Sequence, residues 1–209
     1  MGNQLTAQPV IGAVLAGGHG RRFGMVEKAF LTLAGRPLIE HVLERLAPQV
    51  DDLLINTNSD DVRFRAYGLR ICADRRGSRP ATGPLAGLSA LFHLLQDLDQ
   101  TCAPLLSVPV DTPLLPDDLV ERLGCTLAAA AATVAYAASG GRDHPIVALW
   151  TQDARRSTLD LLAHEPDISL HRLMARLNGV RVTFAASPVD PFLNINCAED
   201  LATAESLLR

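Results

Sequence analysis

Short apolar runs alternate with segments of helical spacing along nearly the whole chain. Ile11 to Leu15 is a compact apolar run of the kind buried on both faces at the centre of a parallel sheet. Leu38, Val42, Leu43 and Leu46 then recur at helical spacing, with Pro37 suited to the first helical position and Pro48 as the stop. Leu53 to Asn56 predicts a second strand, Asp60 to Ala66 a short helix and Leu69 to Ala73 a third strand. After a loop rich in Arg, Gly and Pro comes the clearest helical pattern, Leu85 to Leu98, and then a strand from Pro104 to Val110 that ends at an acidic turn. Pro116 to Ala131 reads as helix. Thr133 to Ala138 and Ile146 to Trp150 read as strands joined across Gly140-Gly141 in the manner of a hairpin, which makes the sheet mixed at that point. Leu159 to Leu162 and Leu170 to Leu177 are helical, Val180 to Ala185 is a strand, and Ala198 to Leu208 is a closing helix. No internal repeat is present.

This alternation predicts an α/β chain: a three-layer, Rossmann-like, mixed and mostly parallel sheet with helices on both faces. In such sheets ligands bind beyond the carboxyl ends of the strands, so the polar residues that matter belong there. A chain of 209 residues suits one generous domain and is short for two. Residues 1–209 are therefore read as a single domain, with residues 1–9 flexible.

Composition narrows the function. Hydrophobic residues make up 48% and aromatics only 4%, which fits a globular interior built from Leu, Ala and Val. A formal charge of -4 argues against a nucleic-acid footprint, while leaving room for local clusters such as Arg21, Arg22, Lys28 and Arg75, Arg76, Arg79 around an anion. Cys72, Cys102, Cys125 and Cys197 lie far apart and form no C-x-x-C pair, so they read as buried residues or reduced thiols. No basic leader precedes an apolar run, and no apolar stretch reaches the roughly 18 to 20 residues that span a bilayer. A cytoplasmic protein without membrane or nucleic-acid partners is expected.

The glycine-rich segment Leu15-Ala16-Gly17-Gly18-His19-Gly20-Arg21-Arg22-Phe23-Gly24 follows the first strand directly. Glycines there let the backbone approach a ligand and turn N–H groups toward phosphate oxygens. It is not a dinucleotide fingerprint, because Phe23 stands where the third glycine is needed and Asn56, not an acid, ends the second strand. Nor is it a Walker A loop, since Lys28 lies between Glu27 and Ala29. What remains is a glycine loop followed by Arg22 and Lys28, whose fixed charges suit a triphosphate and a leaving pyrophosphate. Asp111, in Val108-Pro109-Val110-Asp111-Thr112-Pro113, stands at the end of a strand, where a hard carboxylate suits Mg²⁺ whose other ligands are phosphates and water.

Further along, Gly83-Pro84-Leu85-Ala86-Gly87 opens the clearest helix and offers free backbone N–H groups. A glycine at 87, inside a helix, costs up to about 1 kcal/mol relative to Ala and points to close approach by a ligand or another backbone. Asn196 and Glu199 have the spacing of a helix cap.

Taken in order, Leu15-Ala-Gly-Gly with Arg22 and Lys28, Gly83-Pro-Leu-Ala-Gly87, Pro109-Val-Asp111-Thr-Pro113, His144-Pro145 and Asn194-Ile-Asn196 resemble the molybdenum cofactor guanylyltransferase (MobA) family over nearly the whole chain. The resemblance implies a fold of the nucleotide-diphospho-sugar transferase type. It also implies a reaction of GTP with molybdenum-bound molybdopterin that yields the guanine dinucleotide and pyrophosphate. On the matching positions, Leu15, Ala16, Gly17, Gly18 and Gly83 would pass close to GTP, Arg22 and Lys28 would meet its phosphates, and Asp111 would carry Mg²⁺. Asn56 and Asp74 fall at nucleotide positions; Asp74 is able to accept from guanine N1–H and its amino group. His144, Asn194 and Asn196 would face the acceptor. Recipient molybdoenzymes or their chaperones are implied as partners by the pathway.

The chain departs from the family's usual Arg-Met-Gly-Gly-x-Asp-Lys, reading Arg22-Phe23-Gly24-Met25-Val26-Glu27-Lys28. Met25 puts a Cβ where a glycine usually sits. Two rivals follow: a related cytidylyltransferase or sugar-phosphate nucleotidyltransferase, and a non-catalytic carrier of molybdenum cofactor.

Overall fold

The structure is a computed structural model that describes residues 8–17, 19–20, 26–75, 81–98 and 102–208. One seven-stranded sheet runs through it, formed by β1 (Ile11–Leu15), β2 (Asp52–Asn56), β3 (Arg70–Cys72), β4 (Leu105–Pro109), β5 (Val134–Ser139), β6 (Arg142–Trp150) and β7 (Val180–Phe184). Their spatial order is β3-β2-β1-β4-β6-β5-β7. β1 is parallel to β2 and β4, β2 to β3, and β5 to β7. Only β6 runs antiparallel to its neighbours, β4 and β5. The mixed, mostly parallel sheet read from the sequence is the one observed.

The helices are α1 (Leu38–Leu46), α2 (Pro84–Asp97), α3 (Leu119–Ala129), α4 (Gln152–His164), α5 (Leu170–Arg176) and α6 (Ala198–Leu207). Alternation along β1 sends Val14 into a cluster with Ile39 and Val42 of α1 and Leu119 and Leu123 of α3. Ala13 and Leu15 enter the opposite cluster, with Leu88, Leu91 and Phe92 of α2, Trp150 and Leu173 of α5. These two apolar layers give the three-layer arrangement its cohesion. A small third cluster of Leu33, Leu38, Ile195 and Ala204 pins α6 beside the hairpin formed by Thr32–Leu33 and Arg36–Pro37.

Several boundaries differ from the sequence reading. β6 starts at Arg142, ahead of the expected Ile146, and the register shifts between His144 and Ala148. The shift breaks the period-two pattern that would mark the strand. Ser107 of β4 covers the irregularity: its hydroxyl donates to the Ile146 carbonyl at 2.7 Å and accepts from Trp150 Nε1 at 2.9 Å. α4 begins at Gln152, capped by the Thr151 hydroxyl accepting from Ala154 N–H, because its first turn is polar on most sides and carries little apolar signal. The short helix expected over Asp60 to Ala66 is a 3₁₀ segment, Val62–Tyr67, capped by Asp61 and ended by Gly68 at φ 67°. All four cysteines are free thiols; Cys72 is buried, whereas Cys102 and Cys125 are exposed. Residues 1–7, within the segment expected to be flexible, lie outside the described residues. No helix among the described residues is long and apolar enough to cross a membrane.

Candidate functional site

The strand order runs outward in both directions from β1, toward β2 and β3 on one side and β4 on the other, which makes a crevice beyond their carboxyl ends. A cavity of about 400 Å³ occupies it. Leu15 and Gly17 form its floor at the end of β1, and Asn56, Asn58 and Asp74 form one wall beyond β2 and β3. The α2 entrance contributes Gly83, Pro84 and Gly87; Pro109, Val110 and Asp111 come from the end of β4, and Lys28, Ile146 and Asn194 complete the lining.

Lys28 reaches this wall because the antiparallel pair His19–Gly20 and Val26–Glu27 folds the chain back just before it. Its Nζ donates to Asp111 Oδ2 at 2.7 Å and to Asn196 Oδ1 at 2.7 Å. The ion pair is well shielded, with side-chain exposures of 18% for Lys28 and 15% for Asp111. Asp111 Oδ1 is buried without a hydrogen-bond partner among the described residues. A carboxylate oxygen left in that state at a cavity wall is costly unless a cation or donor meets it. No group of three or more His, Cys, Asp or Glu side chains is gathered as a metal site among the described residues. A lone carboxylate with a free oxygen is the kind of donor a hard cation takes when phosphate and water oxygens fill its remaining positions.

The wall beyond β2 and β3 is built on amide–carboxylate bonds. Asn56 Nδ2 donates to the Cys72 carbonyl at 3.1 Å and to Asp74 Oδ1 at 3.0 Å, and the residue is only 3% exposed. Asn58 Nδ2 donates to Asp74 Oδ2 at 2.7 Å, and Asn58 Oδ1 accepts from the Asp74 backbone N–H at 2.8 Å. With both donors of Asn56 committed, its Oδ1 turns toward α2, where a Cβ on Gly87 would lie 2.2 Å from it. The glycine expected to admit a ligand or another backbone thus admits the Asn56 side chain. Gly87→Ala is expected to overpack this contact and lower unfolding stability in urea by about 1–3 kcal/mol. An unchanged midpoint would show that Asn56 yields without cost.

Gly83 caps α2 at φ 58° and ψ −143°, a conformation open to glycine and strained for other residues. No side chain among the described residues caps this end, and Gly83, Pro84 and Gly87 all line the cavity, so the positive end of the helix dipole faces it.

On the far side, Ile195 N–H donates to the Asp111 carbonyl at 2.8 Å, stitching the segment before α6 to the end of β4. This places Asn194 in the cavity lining and Asn196 on Lys28. The cap expected from Asn196 and Glu199 is instead a capping box of Cys197 and Asp200. Asn196 cannot serve as cap with its side-chain oxygen held by Lys28, and its backbone N–H goes to Asp200 Oδ2 at 2.8 Å. His144 is not among the residues lining the cavity. Its Nε2 lies 2.9 Å from Ser139 Oγ, which donates to Asp190 Oδ1 at 2.7 Å, so Nε2 carries the proton in this chain of bonds. Its ring packs on Phe192 at 5.0 Å. Burial holds its pKa below the ordinary imidazole value, with Asp190 opposing the shift.

The structure thus gathers Leu15, Gly17, Lys28, Asn56, Asp74, Gly83, Asp111 and Asn194 around one cavity. Ala16 is buried beneath it and spends its N–H on the Asn56 carbonyl at 2.8 Å. Gly18, Arg22 and Met25 lie outside the described residues. Asn58 and Ile146 were not singled out from the sequence. Asn58 reads there as an ordinary turn residue after a strand, and its one cue is the matching distance past β2 of an Asn and past β3 of an Asp.

A family model for the MobA-like NTP transferase domain matches residues 12–182. A molybdenum cofactor guanylyltransferase of Bradyrhizobium sp. (strain ORS 278) is 41% identical over 203 residues, covering 97% of this chain and 94% of that protein. One from Rhodobacter capsulatus is 45% identical over 202 residues, covering 96% and 97%. Among solved structures, molybdopterin-guanine dinucleotide biosynthesis protein A from Archaeoglobus fulgidus superposes with a TM-score of 0.71 at 22% identity, covering 95% of this chain and 98% of that one. With that match spanning β1 to β7 and the strand-end cavity in place, the chain belongs to the MobA-like NTP transferase domain family and is a nucleotidyltransferase by that membership.

Proposed function

We propose that this protein transfers GMP from GTP to molybdenum-bound molybdopterin, giving the guanine dinucleotide and pyrophosphate. The observation that carries the reading is the pairing of Lys28 with Asp111, one buried carboxylate oxygen left unpartnered, at the switch point of the sheet. The relatives named molybdenum cofactor guanylyltransferase, 41% and 45% identical over nearly the full chain, support the choice of GTP and acceptor.

In the reaction, an oxygen of the acceptor's terminal phosphate forms a bond to the α-phosphorus of GTP. The bond from that phosphorus to the α,β-bridging oxygen breaks, and its electron pair leaves with pyrophosphate. The acceptor phosphate is ionised at neutral pH, so alignment and charge neutralisation supply most of the rate without a general base. Lys28 donates to the phosphates and meets the charge that builds on the leaving group. Asp111 would hold Mg²⁺, which when bound would supply further charge neutralisation at the phosphates. Leu15, Ala16, Gly17 and Gly18 carry the backbone along the nucleotide, Arg22 assists Lys28, and the α2 entrance at Gly83 receives an electron-rich part of it. Asn194 and Asn196 meet the acceptor, while His144 braces the Asp190 to Phe192 segment that leads to them. The proposal includes a cytoplasmic setting and hand-over of the product to recipient molybdoenzymes or their chaperones.

Pyrophosphate release, measured with Mg²⁺ and molybdenum-loaded pterin and with GTP, CTP or UTP offered separately, tests this. Release with GTP alone is expected. Preference for CTP would move the assignment to a cytidylyltransferase, and tight GTP binding with no release would indicate a carrier.

A further inference from the structure

We propose that Asn58 is a specificity-positioning residue: together with Asn56 it fixes both oxygens of Asp74, so that the carboxylate selects a base edge carrying two adjacent N–H donors. This rests on the guanylyltransferase reading above, together with the resemblance that puts Asn56 and Asp74 at nucleotide positions. An ionised carboxylate has about four acceptor sites, two on each oxygen. Asn56 takes one on Oδ1 at 3.0 Å and Asn58 takes one on Oδ2 at 2.7 Å. One site on each oxygen is left, and Asp74 lines the cavity.

The second bond between Asn58 and Asp74 fixes the geometry further. Asn58 Oδ1 accepts the Asp74 backbone N–H at 2.8 Å, so the amide grips the main chain and side chain of the same residue. That closed pair holds the carboxylate plane against the backbone that carries it. Asn56 is locked in turn by the Cys72 carbonyl and by the space above Gly87. Asp74 is therefore held from both sides by amides that themselves have little freedom, which is the condition for reading a ligand edge rather than merely attracting charge.

The chemistry of the bases then decides. Guanine presents N1–H and the 2-amino group side by side, two donors for two carboxylate oxygens. Adenine offers an acceptor, N1, beside its amino group, and cytosine offers N3 in the same way. Uracil has a single N–H between two carbonyls. Each of these sets an acceptor against the fixed carboxylate or leaves one of its oxygens unmet, and a site built for a donor rejects a ligand lacking it.

Inosine triphosphate, which keeps N1–H and lacks the 2-amino group, isolates the second bond. In calorimetric titrations the native protein is expected to bind GTP about 10–100-fold more tightly than ITP, as befits one hydrogen bond to a charged group. Asn58→Ala, at an exposed position, is expected to cut that ratio by at least about fivefold by freeing the carboxylate, with ITP affinity changed less than GTP affinity. Asn58→Ser, which keeps a donor for Asp74, is expected to restore part of the ratio. A native GTP/ITP ratio in Asn58→Ala, with GTP still preferred over CTP by the native protein, would overturn the role of Asn58 alone. A native preference for CTP would instead overturn the guanylyltransferase reading and this inference with it.

Discussion

Replacing Asp111 with Asn is expected to slow pyrophosphate release at saturating GTP and acceptor by at least about 1,000-fold, equivalent to about 4 kcal/mol of transition-state stabilisation. The substitution keeps the size of the side chain and an oxygen able to accept from Lys28, so the fold is expected to stand. What it removes is the negative charge and the unpartnered Oδ1 that suit Asp111 to a hard cation. Asp111→Ala should behave alike in rate, and additional Mg²⁺ should rescue neither variant. A rate within tenfold of native for Asp111→Asn would show that metal binding does not depend on this carboxylate. Because Ile195 is bonded to the backbone carbonyl of Asp111, not to its side chain, the acceptor segment should stay in place in both variants.

Lys28→Met carries the second large effect. It preserves most of the apolar stem and deletes the ammonium that now bridges Asp111 and Asn196. A loss of about 100–1,000-fold in the rate of transfer is expected, as for removal of one fixed charge from a phosphoryl-transfer site. Lys28→Arg should recover little of it. A compact ammonium sits 2.7 Å from both partners, and the wider planar guanidinium does not reproduce that point contact. Single-turnover rates at saturating GTP check this, since they separate the chemical step from weakened binding. Equal rates for native and Lys28→Met would remove Lys28 from the chemistry.

Much of this site is legible in the sequence for identifiable reasons. Ile11 to Leu15 is a uniform apolar run, and the observed strand is buried along its whole length. Asp111 stands out as an acid at a strand end, where open α/β sheets hold ligands. Gly83 is visible at the opening of the clearest helix and Gly87 as a glycine in a costly place, although the space Gly87 leaves is taken by the Asn56 side chain. Elements governed by contacts distant in sequence are not legible. The start of β6 is hidden because the register shift near His144 destroys the alternation that marks a strand. Asn196 has the spacing of a cap but spends its side chain on Lys28, 168 residues away in sequence, leaving Cys197 and Asp200 to cap α6. Asn58 carries only the faint cue of its distance past β2, because its partner Asp74 lies on a different strand's exit and the register of β2 with β3 is what brings them together.

The most direct test follows the fate of the α-phosphorus. GTP labelled at that atom is incubated with the native protein, Mg²⁺ and molybdenum-loaded pterin, and the products are separated. Label recovered in an acid-stable pterin–guanine dinucleotide, in amounts matching the pyrophosphate released, is the expected result. Label released as free GMP, or remaining wholly in GTP while the protein binds it, would contradict the claim that this cavity performs nucleotidyl transfer to the pterin.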